Sequence, residues 1–326
     1  MTGSTAISFG HYQPNRTVTN EQLAERLGTS DTWIRERVGV RRRRLAAPGE
    51  SVADMAAAAA DAALRRSGHR AADVDLVIVA TCTAFDRMPS VACRVAERLG
   101  ITAPGAFDLN AACSGFSYAL AAADHAIRAD AASRAIVVGV DKMSDFLDWT
   151  DRSTCVIFGD AAAAAVVERA AGGIGPVVWG SDPAKGRCIT LETAGPGALP
   201  AVFRQEGQAV FRWATTALAP IAREACLRAS VDPADLGGVV THQANIRIIE
   251  TLARKIGATG AVIATDVAES GNTSAASIPL ALSKLIERRE IAPGAPVLLF
   301  GFGAGLTYGG QVISCPGIPA LSPDPV

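Results

Sequence analysis

The sequence carries almost no net charge, and it has neither a recognisable N-terminal secretion signal nor an uninterrupted apolar helix of membrane length. Its 326 residues include 31 Lys and Arg against 32 Asp and Glu, a formal net charge of −1. With 49% hydrophobic residues, this composition does not suggest a disordered chain. The balanced charge also gives no overall positive potential that would attract nucleic acid. The first residues lack a basic segment followed by an apolar one, so we expect a cytoplasmic protein.

The region 291–323 has no charged residue at all. Prolines and glycines interrupt it repeatedly, which excludes a lipid-exposed helix. We therefore predict a buried strand followed by a glycine-rich turn, with no membrane contact.

The seven cysteines contain no C-x-x-C pair, and their number is odd. This excludes a disulfide framework and argues against a zinc site, so no metal is expected. Six of the seven are predicted to be reduced residues of the core; the exception, Cys113, is treated below.

Strand-like apolar runs alternate with alanine-rich helical runs, the pattern of an α/β fold with buried sheets. The order of these elements recurs: the helix, strand and turn of 51–114 are mirrored by those of 216–276, and the strand RAIVVGVDKMS by APVLLFGFGAG. We predict two related halves, 1–171 and 172–326.

Corresponding turns of the two halves carry Cys113 and Asn272, and a further strand end carries His242. If the halves pack about a pseudo-twofold axis, these residues meet at the carboxyl ends of the strands. Cys113 opens a helix, where the dipole and free N–H groups favour a thiolate, so it is the candidate nucleophile. His11 and His69 lie in polar, loop-like contexts and are predicted to be surface residues.

Seven segments together resemble β-ketoacyl-acyl-carrier-protein synthase III, the initiating ketosynthase of the thiolase superfamily. They cover nearly the whole chain: TSDTWIRERVGVRRR (29–43), MPSVACRVAERLG (88–100), NAACSGFSYAL (110–120), STCVIFGDAAAAAVV (153–167), HQANIRII (242–249), GNTSAASIPLAL (271–282) and GFGAGLTYG (301–309). The last does not fit a dinucleotide-binding G-x-G-x-x-G, because position 306 is Leu. The resemblance implies a thiolase-like fold with α-β-α-β-α layers.

The resemblance also implies a mechanism. Cys113 takes an acyl group from acyl-CoA, and malonyl-acyl carrier protein then loses CO2 and attacks the acyl-Cys113. His242 Nε2 and the Asn272 amide are implied as donors to the enolate, and the N–H groups of Cys113 and Ala304 as the oxyanion hole of condensation. Phe302 is implied to shield the site.

The remaining roles implied by the resemblance concern substrate delivery, and no permanently bound cofactor is expected. Trp33 and Arg152 would sandwich the adenine of CoA and Arg37 would contact its phosphates, although Trp33 alone fits an ordinary packing aromatic equally well. Met88, contributed across a homodimer interface, and Gly207 would border the acyl pocket. The acidic carrier protein would dock on a basic set, for which a plain exposed face is the alternative: Arg212, Arg247, Arg254 and Lys255.

Two other functions remain open from the sequence. One is an acyltransferase that passes the acyl group from Cys113 to an alcohol, amine or carrier thiol without condensation. The other is an inactive partner subunit of a ketosynthase complex. The presence of Cys113, His242 and Asn272 together favours condensation. The sequence does not identify the acyl starter, and it does not predict the conformation of the segment 178–212.

Overall fold

The computed structural model of the protein describes residues 3–192 and 201–317. In these ranges the chain forms fourteen strands: β1 (Gly3–Tyr12), β2 (Arg16–Thr19), β3 (Arg42–Leu45), β4 (Leu76–Ala80), β5 (Gly105–Leu109), β6 (Arg134–Asp141), β7 (Ala161–Ala170), β8 (Val178–Ser181), β9 (Ile189–Glu192), β10 (Val202–Gln205), β11 (Gly238–Thr241), β12 (Val262–Ile263), β13 (Pro296–Gly303) and β14 (Thr307–Ser314).

Nine α-helices accompany the strands within the same ranges: α1 (Asn20–Leu27), α2 (Asp31–Val38), α3 (Val52–Ser67), α4 (Val91–Leu99), α5 (Gly115–Arg128), α6 (Gly207–Arg228), α7 (Ile246–Ile256), α8 (Val267–Ser270) and α9 (Ser277–Glu287). Helix α3 shows how local sequence sets the ends. Ser51 and Asp54 form a capping box before it, and Gly68 ends it in the left-handed conformation. The helix predicted at 51–68 is therefore confirmed.

Ten of the strands form two five-stranded sheets with the same strand order. The first reads β5-β4-β6-β7-β1 and the second β12-β11-β13-β14-β8. In each sheet the first three strands are parallel and the last two are antiparallel to their neighbours. The internal duplication expected from the sequence is confirmed.

The helices form three layers around these sheets. Helices α3 and α4 cover the outer face of the first sheet, and α6 and α7 cover the outer face of the second. Helices α5 and α9 lie between the two sheets in a common apolar core. This is the α-β-α-β-α arrangement of the thiolase-like fold, and the predicted fold class is confirmed.

The connection between the halves runs from β7 to β8. All strands of the first sheet come from residues 3–170 and all strands of the second from 178–314. The division of the chain at 171/172 stays a prediction. The uncharged region predicted as a strand and turn forms β13, a tight turn and β14, while its part beyond 317 lies outside the described residues.

Smaller elements lie around this core. Strands β2 and β3 pair as one small sheet and β9 and β10 as another. The segment 178–212, whose course the sequence left open, contains β8, β9, β10 and the start of α6, and its residues 193–200 are outside the described ranges. No helix in the described part of the chain is long and apolar enough to cross a membrane.

Candidate active site

Cys113 lies in a short turn between β5 and α5. The turn covers Ala112–Ser114, and Ala112 has a φ of +46°. Non-glycine residues with positive φ are uncommon and are held only where the surroundings enforce them. Here the Asn110 side chain accepts the Ala112 N–H at 3.0 Å, which supports the bend that presents Cys113.

Asn272 lies in the equivalent turn of the second half, before α9. Ser274 has a φ of +51°, and its N–H donates to Asn272 Oδ1 at 2.8 Å, as in the first half. Because Oδ1 is engaged, the amide orientation is set and the Nδ2 hydrogens remain available as donors. The backbone of Asn272 is anchored to the first half by hydrogen bonds with Ile157 and Gly159.

The two turns touch each other. Cys113 Sγ lies 3.4 Å from Ser274 Oγ, so the half-buried thiol contacts the turn that carries Asn272. Gly303, at the end of β13, supports the thiol from another side. A Cβ atom at Gly303 would come within 2.8 Å of the Cys113 backbone nitrogen, so only a glycine lets the strand approach this closely.

His242 follows β11 and is 2% exposed. Its Nδ1 lies 2.7 Å from Ser277 Oγ, in the first residue of α9. The same hydroxyl accepts the Gln243 N–H at 3.3 Å, and its own hydrogen can be donated to Nδ1, an arrangement in which the imidazole hydrogen is on Nε2. The ring packs edge-on against Phe302, with 5.1 Å between centroids. The segment 272–277 thus contacts both Cys113 and His242.

The electrostatics of Cys113 differ from the sequence-based expectation. Burial raises the pKa of the Cys113 thiol to about 12, and the Asp141 charge adds to the rise, while hydrogen bonds from Ser274 and the backbone lower it. The expectation that the helix terminus favours a thiolate is wrong for the unliganded site, because desolvation of the anion outweighs the dipole. Burial also lowers the pKa of His242 to about 3, so its imidazole is neutral at pH 7.

A cavity of about 750 Å³ leads to Asn272. Trp33 and Arg152 lie in the wall of this cavity, with the Arg152 guanidinium 5.6 Å from the centre of the Trp33 ring. Four further predicted residues line the cavity: Arg37, Gly207, Arg212 and Arg247. The Arg247 guanidinium lies over the Phe211 ring at 5.2 Å.

Other predicted residues lie elsewhere. Cys113, His242, Phe302 and Ala304 are not among the described residues that line this cavity. Phe302 is buried, and Ala304 begins the turn after β13.

Met88 is 88% exposed and is also outside the cavity lining, so the described chain does not bring it to the site. Arg254 and Lys255 are exposed in the last turn of α7, and Lys255 donates to the Thr215 carbonyl at 2.6 Å. These two basic residues therefore lie on the protein surface and not in the cavity wall.

Sequence reasoning missed four residues of the site: Cys82, Asp141, Ser274 and Ser277. Cys82 is half-buried and packs against an apolar core cluster, and its Sγ also lies 3.9 Å from Ser274 Oγ, because it follows β4 at the same sheet edge as the other site residues. That position was the available signal. Cys93 is exposed, which corrects the core assignment for that residue.

His11 is not a surface loop residue. It is half-buried in β1, and its Nδ1 lies 2.8 Å from Ser283 Oγ on α9. Its strand is covered there by the central helix, which the local polar residues did not reveal.

The duplicated thiolase-like fold, with a cysteine turn that contacts the segment 272–277, defines the class of acyl-transferring condensing enzymes. Two family models match, 3-oxoacyl-[acyl-carrier-protein] synthase III at residues 107–183 and its C-terminal part at 226–315. The chain belongs to the β-ketoacyl-acyl-carrier-protein synthase III family.

Individual relatives agree with this assignment. β-Ketoacyl-[acyl-carrier-protein] synthase III 4 of Streptomyces coelicolor is 60% identical over 318 residues, which cover 96% of this chain and 99% of the relative. Synthase III 2 of Streptomyces avermitilis is 60% identical over 320 residues, 97% of this chain and 100% of the relative. The crystal structure of the priming β-ketosynthase from the R1128 polyketide pathway is similar with a TM-score of 0.94 at 38% identity, covering 97% of each chain.

Proposed function

We propose that this enzyme transfers an acyl group from acyl-CoA to Cys113 and condenses it with malonyl-acyl carrier protein, giving β-ketoacyl-acyl carrier protein, CoA and CO2. The observation that carries the proposal is that one segment, 272–277, contains Asn272 and contacts both Cys113 and His242. These contacts support a common site for the proposed nucleophile and donors, which come from distant parts of the sequence. A cytoplasmic location stays a prediction.

The cavity supports delivery of the acyl-CoA. Its volume of about 750 Å³ is in the range of small-molecule sites, and Asn272 lies in its lining. We propose that the adenine stacks with Trp33 and Arg152 and that Arg37 contacts phosphate. Stacking and cation–π attraction both suit a flat, electron-rich base beside a guanidinium. Gly207, the first residue of α6, also lines the cavity, and no other atom lies within 4 Å of the position where its Cβ would be.

In the first step the Cys113 sulfur attacks the thioester carbonyl. The bond to the acyl carbon forms, the carbon–sulfur bond of acyl-CoA breaks, and the thiol proton leaves with CoA as its free thiol. The pKa of about 12 means that the resting nucleophile is a neutral thiol. Proton loss is therefore coupled to substrate binding and attack.

In the second step malonyl-acyl carrier protein loses CO2, and negative charge develops on the thioester oxygen. His242 Nε2–H and Asn272 Nδ2–H are the proposed donors. A neutral imidazole fits this role, and a hydrogen bond from Ser277 to Nδ1 is compatible with the required tautomer. Donors that are already oriented in a site shielded from water stabilise the charge most in the transition state.

In the third step the carbanion attacks the acyl-Cys113 carbonyl. A carbon–carbon bond forms, the carbon–sulfur bond to Cys113 breaks, and Cys113 leaves as a thiolate that takes up a proton from solvent to restore the resting thiol. The proposed oxyanion donors are the N–H groups of Cys113 and Ala304, and the close approach of Gly303 to the Cys113 backbone supports their being near each other. Phe302 packs against the His242 ring and is proposed to shield the enolate from water.

Carrier protein and a second copy of the chain are the proposed partners. Arg212, Arg247, Arg254 and Lys255 are exposed basic groups that suit an acidic carrier protein. Homodimer formation is supported by β5, the edge strand of the first sheet, which leaves Phe107 43% exposed near the end of the sheet. Met88 would reach the acyl pocket of the partner from this side.

The test uses intact-mass measurement with a panel of acyl-CoAs, followed by labelled malonyl-acyl carrier protein. We expect an acyl adduct that is absent in Cys113→Ala, then release of labelled CO2 and a β-ketoacyl product. An adduct that discharges only to an alcohol or amine would contradict condensation. Absence of an adduct with every acyl-CoA would contradict the nucleophile and support an inactive subunit.

A further inference from the structure

The Ser274 hydroxyl lies between two thiols. Its Oγ is 3.4 Å from Cys113 Sγ and 3.9 Å from Cys82 Sγ. Among the side chains of the described ranges, Ser274 is the one that hydrogen-bonds the Cys113 sulfur. A sulfur that becomes an anion during attack needs a donor, and this hydroxyl is in place to provide one.

The turn itself does not require a serine at position 274. Ser274 has a φ of +51°, and Ala112, at the equivalent position in the first half, has +46°. An alanine therefore occupies the same left-handed conformation in the other copy of this turn. What distinguishes position 274 is the hydroxyl group, which faces the sulfur of the opposite turn.

Neighbouring groups hold this hydroxyl in position. The Ser274 N–H donates to Asn272 Oδ1, and the next N–H, of Ala275, donates to Asp141 Oδ2 at 3.0 Å. Asp141 is a competing acceptor for the hydroxyl. Its Oδ1 accepts from the Cys82 N–H and from the hydroxyls of Thr81 and Thr83. Burial raises the pKa of Asp141, and a hydrogen bond from Ser274 opposes that rise. The Ser274 hydroxyl therefore has two acceptors in reach, the Asp141 carboxylate in the resting site and the Cys113 sulfur once that sulfur carries negative charge.

We propose that Ser274 is a further catalytic residue, which donates its hydroxyl hydrogen to the Cys113 sulfur as negative charge develops there, while the Cys82 thiol donates to Ser274 Oγ. The inference rests on the proposed role of Cys113 as nucleophile. The bonds that form and break in acylation are unchanged: the acyl group moves to Cys113, and the thiol proton leaves with CoA.

The electrostatics agree with donation from Ser274 to Cys113. The Ser274 hydrogen bond lowers the pKa of Cys113 against the effect of burial. Burial and the Asp141 charge raise the pKa of Cys82 well above its usual value, so Cys82 keeps its proton and has a hydrogen to donate, with Ser274 and Asp141 both in reach. Hydrogen bonds to a charged acceptor are about twice as strong as neutral ones.

The test measures the rate at which iodoacetamide alkylates Cys113 at pH 8, by mass spectrometry of the peptide that contains it. Ser274→Gly and Ser274→Ala both remove the hydroxyl, and glycine suits the positive φ, so the fold is kept. One hydrogen bond to a charged group shifts the thiolate equilibrium by about 10- to 100-fold. The greater nucleophilicity of the more basic thiolate offsets about half of this on a logarithmic scale, so we expect both variants to react about 3- to 10-fold more slowly.

The matched control is Ser117→Ala on α5. Its buried hydroxyl has no hydrogen-bond partner in the described part of the protein, and its removal should leave the Cys113 rate unchanged. Unchanged or faster alkylation in both Ser274 variants overturns the proposal, since the hydroxyl would then stabilise the neutral thiol and donate to Asp141. Alkylation needs no substrate, so this result is independent of whether condensation occurs.

A double substitution tests the part played by Cys82. If its thiol acts through the Ser274 hydroxyl, Cys82→Ala slows alkylation in the native background and has no further effect in Ser274→Ala. Independent, multiplying effects of the two substitutions would contradict the chain of donors from Cys82 to Cys113.

Discussion

Replacement of Asn272 by alanine should slow decarboxylation of the malonyl group by about 100- to 1,000-fold and leave acylation of Cys113 much less affected. The reason is that the Asn272 amide is proposed as one of two donors to the enolate oxygen. Loss of one such donor in other enzymes costs about 2.7–4 kcal/mol of transition-state stabilisation. Acylation develops its charge on a different oxygen, near the Cys113 N–H.

The structure shows that alanine removes two things at once. Asn272 is 5% exposed, and its Oδ1 accepts the Ser274 N–H, so Asn272→Ala also leaves that buried N–H without its acceptor. Asn272→Asp is the matched variant, because it keeps an oxygen at Oδ1 and removes only the Nδ2 donor. The added negative charge opposes the enolate, so the loss of decarboxylation should be at least as large, with the turn retained.

Both steps can be followed separately in single turnovers. Intact mass gives the rate of acyl-Cys113 formation, and trapped labelled CO2 gives the rate of decarboxylation by the acylated enzyme. In both variants we expect the acyl enzyme to accumulate. If Asn272→Asp slows acylation as strongly as CO2 release, or slows neither, the assignment of the amide to the enolate is wrong.

Three further predictions follow from single contacts. Gly303→Ala would place a Cβ 2.8 Å from the Cys113 nitrogen, so acylation should fall by about 100-fold or more, and the melting temperature should drop as in other overpacked sites. Folding lowers the pKa of His242 from 6.5 to about 3, so the unfolded chain binds one more proton between these values. The free energy of unfolding should therefore fall as the pH drops below about 6.5, by about 2 kcal/mol at pH 5 from this group. Denaturant titrations of the native protein and of His242→Asn measure this pH dependence. An equal pH dependence in both proteins would contradict the prediction. Trp33→Ala should raise the KM for acyl-CoA about tenfold with little change in kcat, since base stacking is worth about 1–3 kcal/mol; a kcat defect with unchanged KM would contradict the adenine contact.

The sequence predicted the fold well because its signals are local and repeated. Each strand is a short apolar run, each helix has caps such as Ser51 and Gly68, and the order of elements recurs in both halves. The duplication also indicates which turns correspond, so the sequence predicts that Cys113 and Asn272 lie at one place. The contacts of Ser274 with Cys113 and of Ser277 with His242 are the structural counterpart of that expectation.

The ionisation of Cys113 could not be predicted in the same way. A helix start is visible in sequence, but the burial of a thiol depends on residues from both halves, and here desolvation dominates. The same holds for Asp141, whose partners Thr83 and Ala275 are far apart in the chain. Ser274, which lies in the turn between α8 and α9, likewise carries no local signal, because its contact with Cys113 joins residues far apart in the chain.

The central claim is most directly tested by a crystal structure of the enzyme with a non-decarboxylating malonyl thioester analogue bound beside acylated Cys113. We predict that the thioester oxygen lies about 2.7–3.1 Å from both His242 Nε2 and Asn272 Nδ2. The acyl carbonyl oxygen should lie at a similar distance from the Cys113 N–H. An analogue oxygen held by other groups, with the imidazole and the carboxamide turned away from it, would contradict the mechanism.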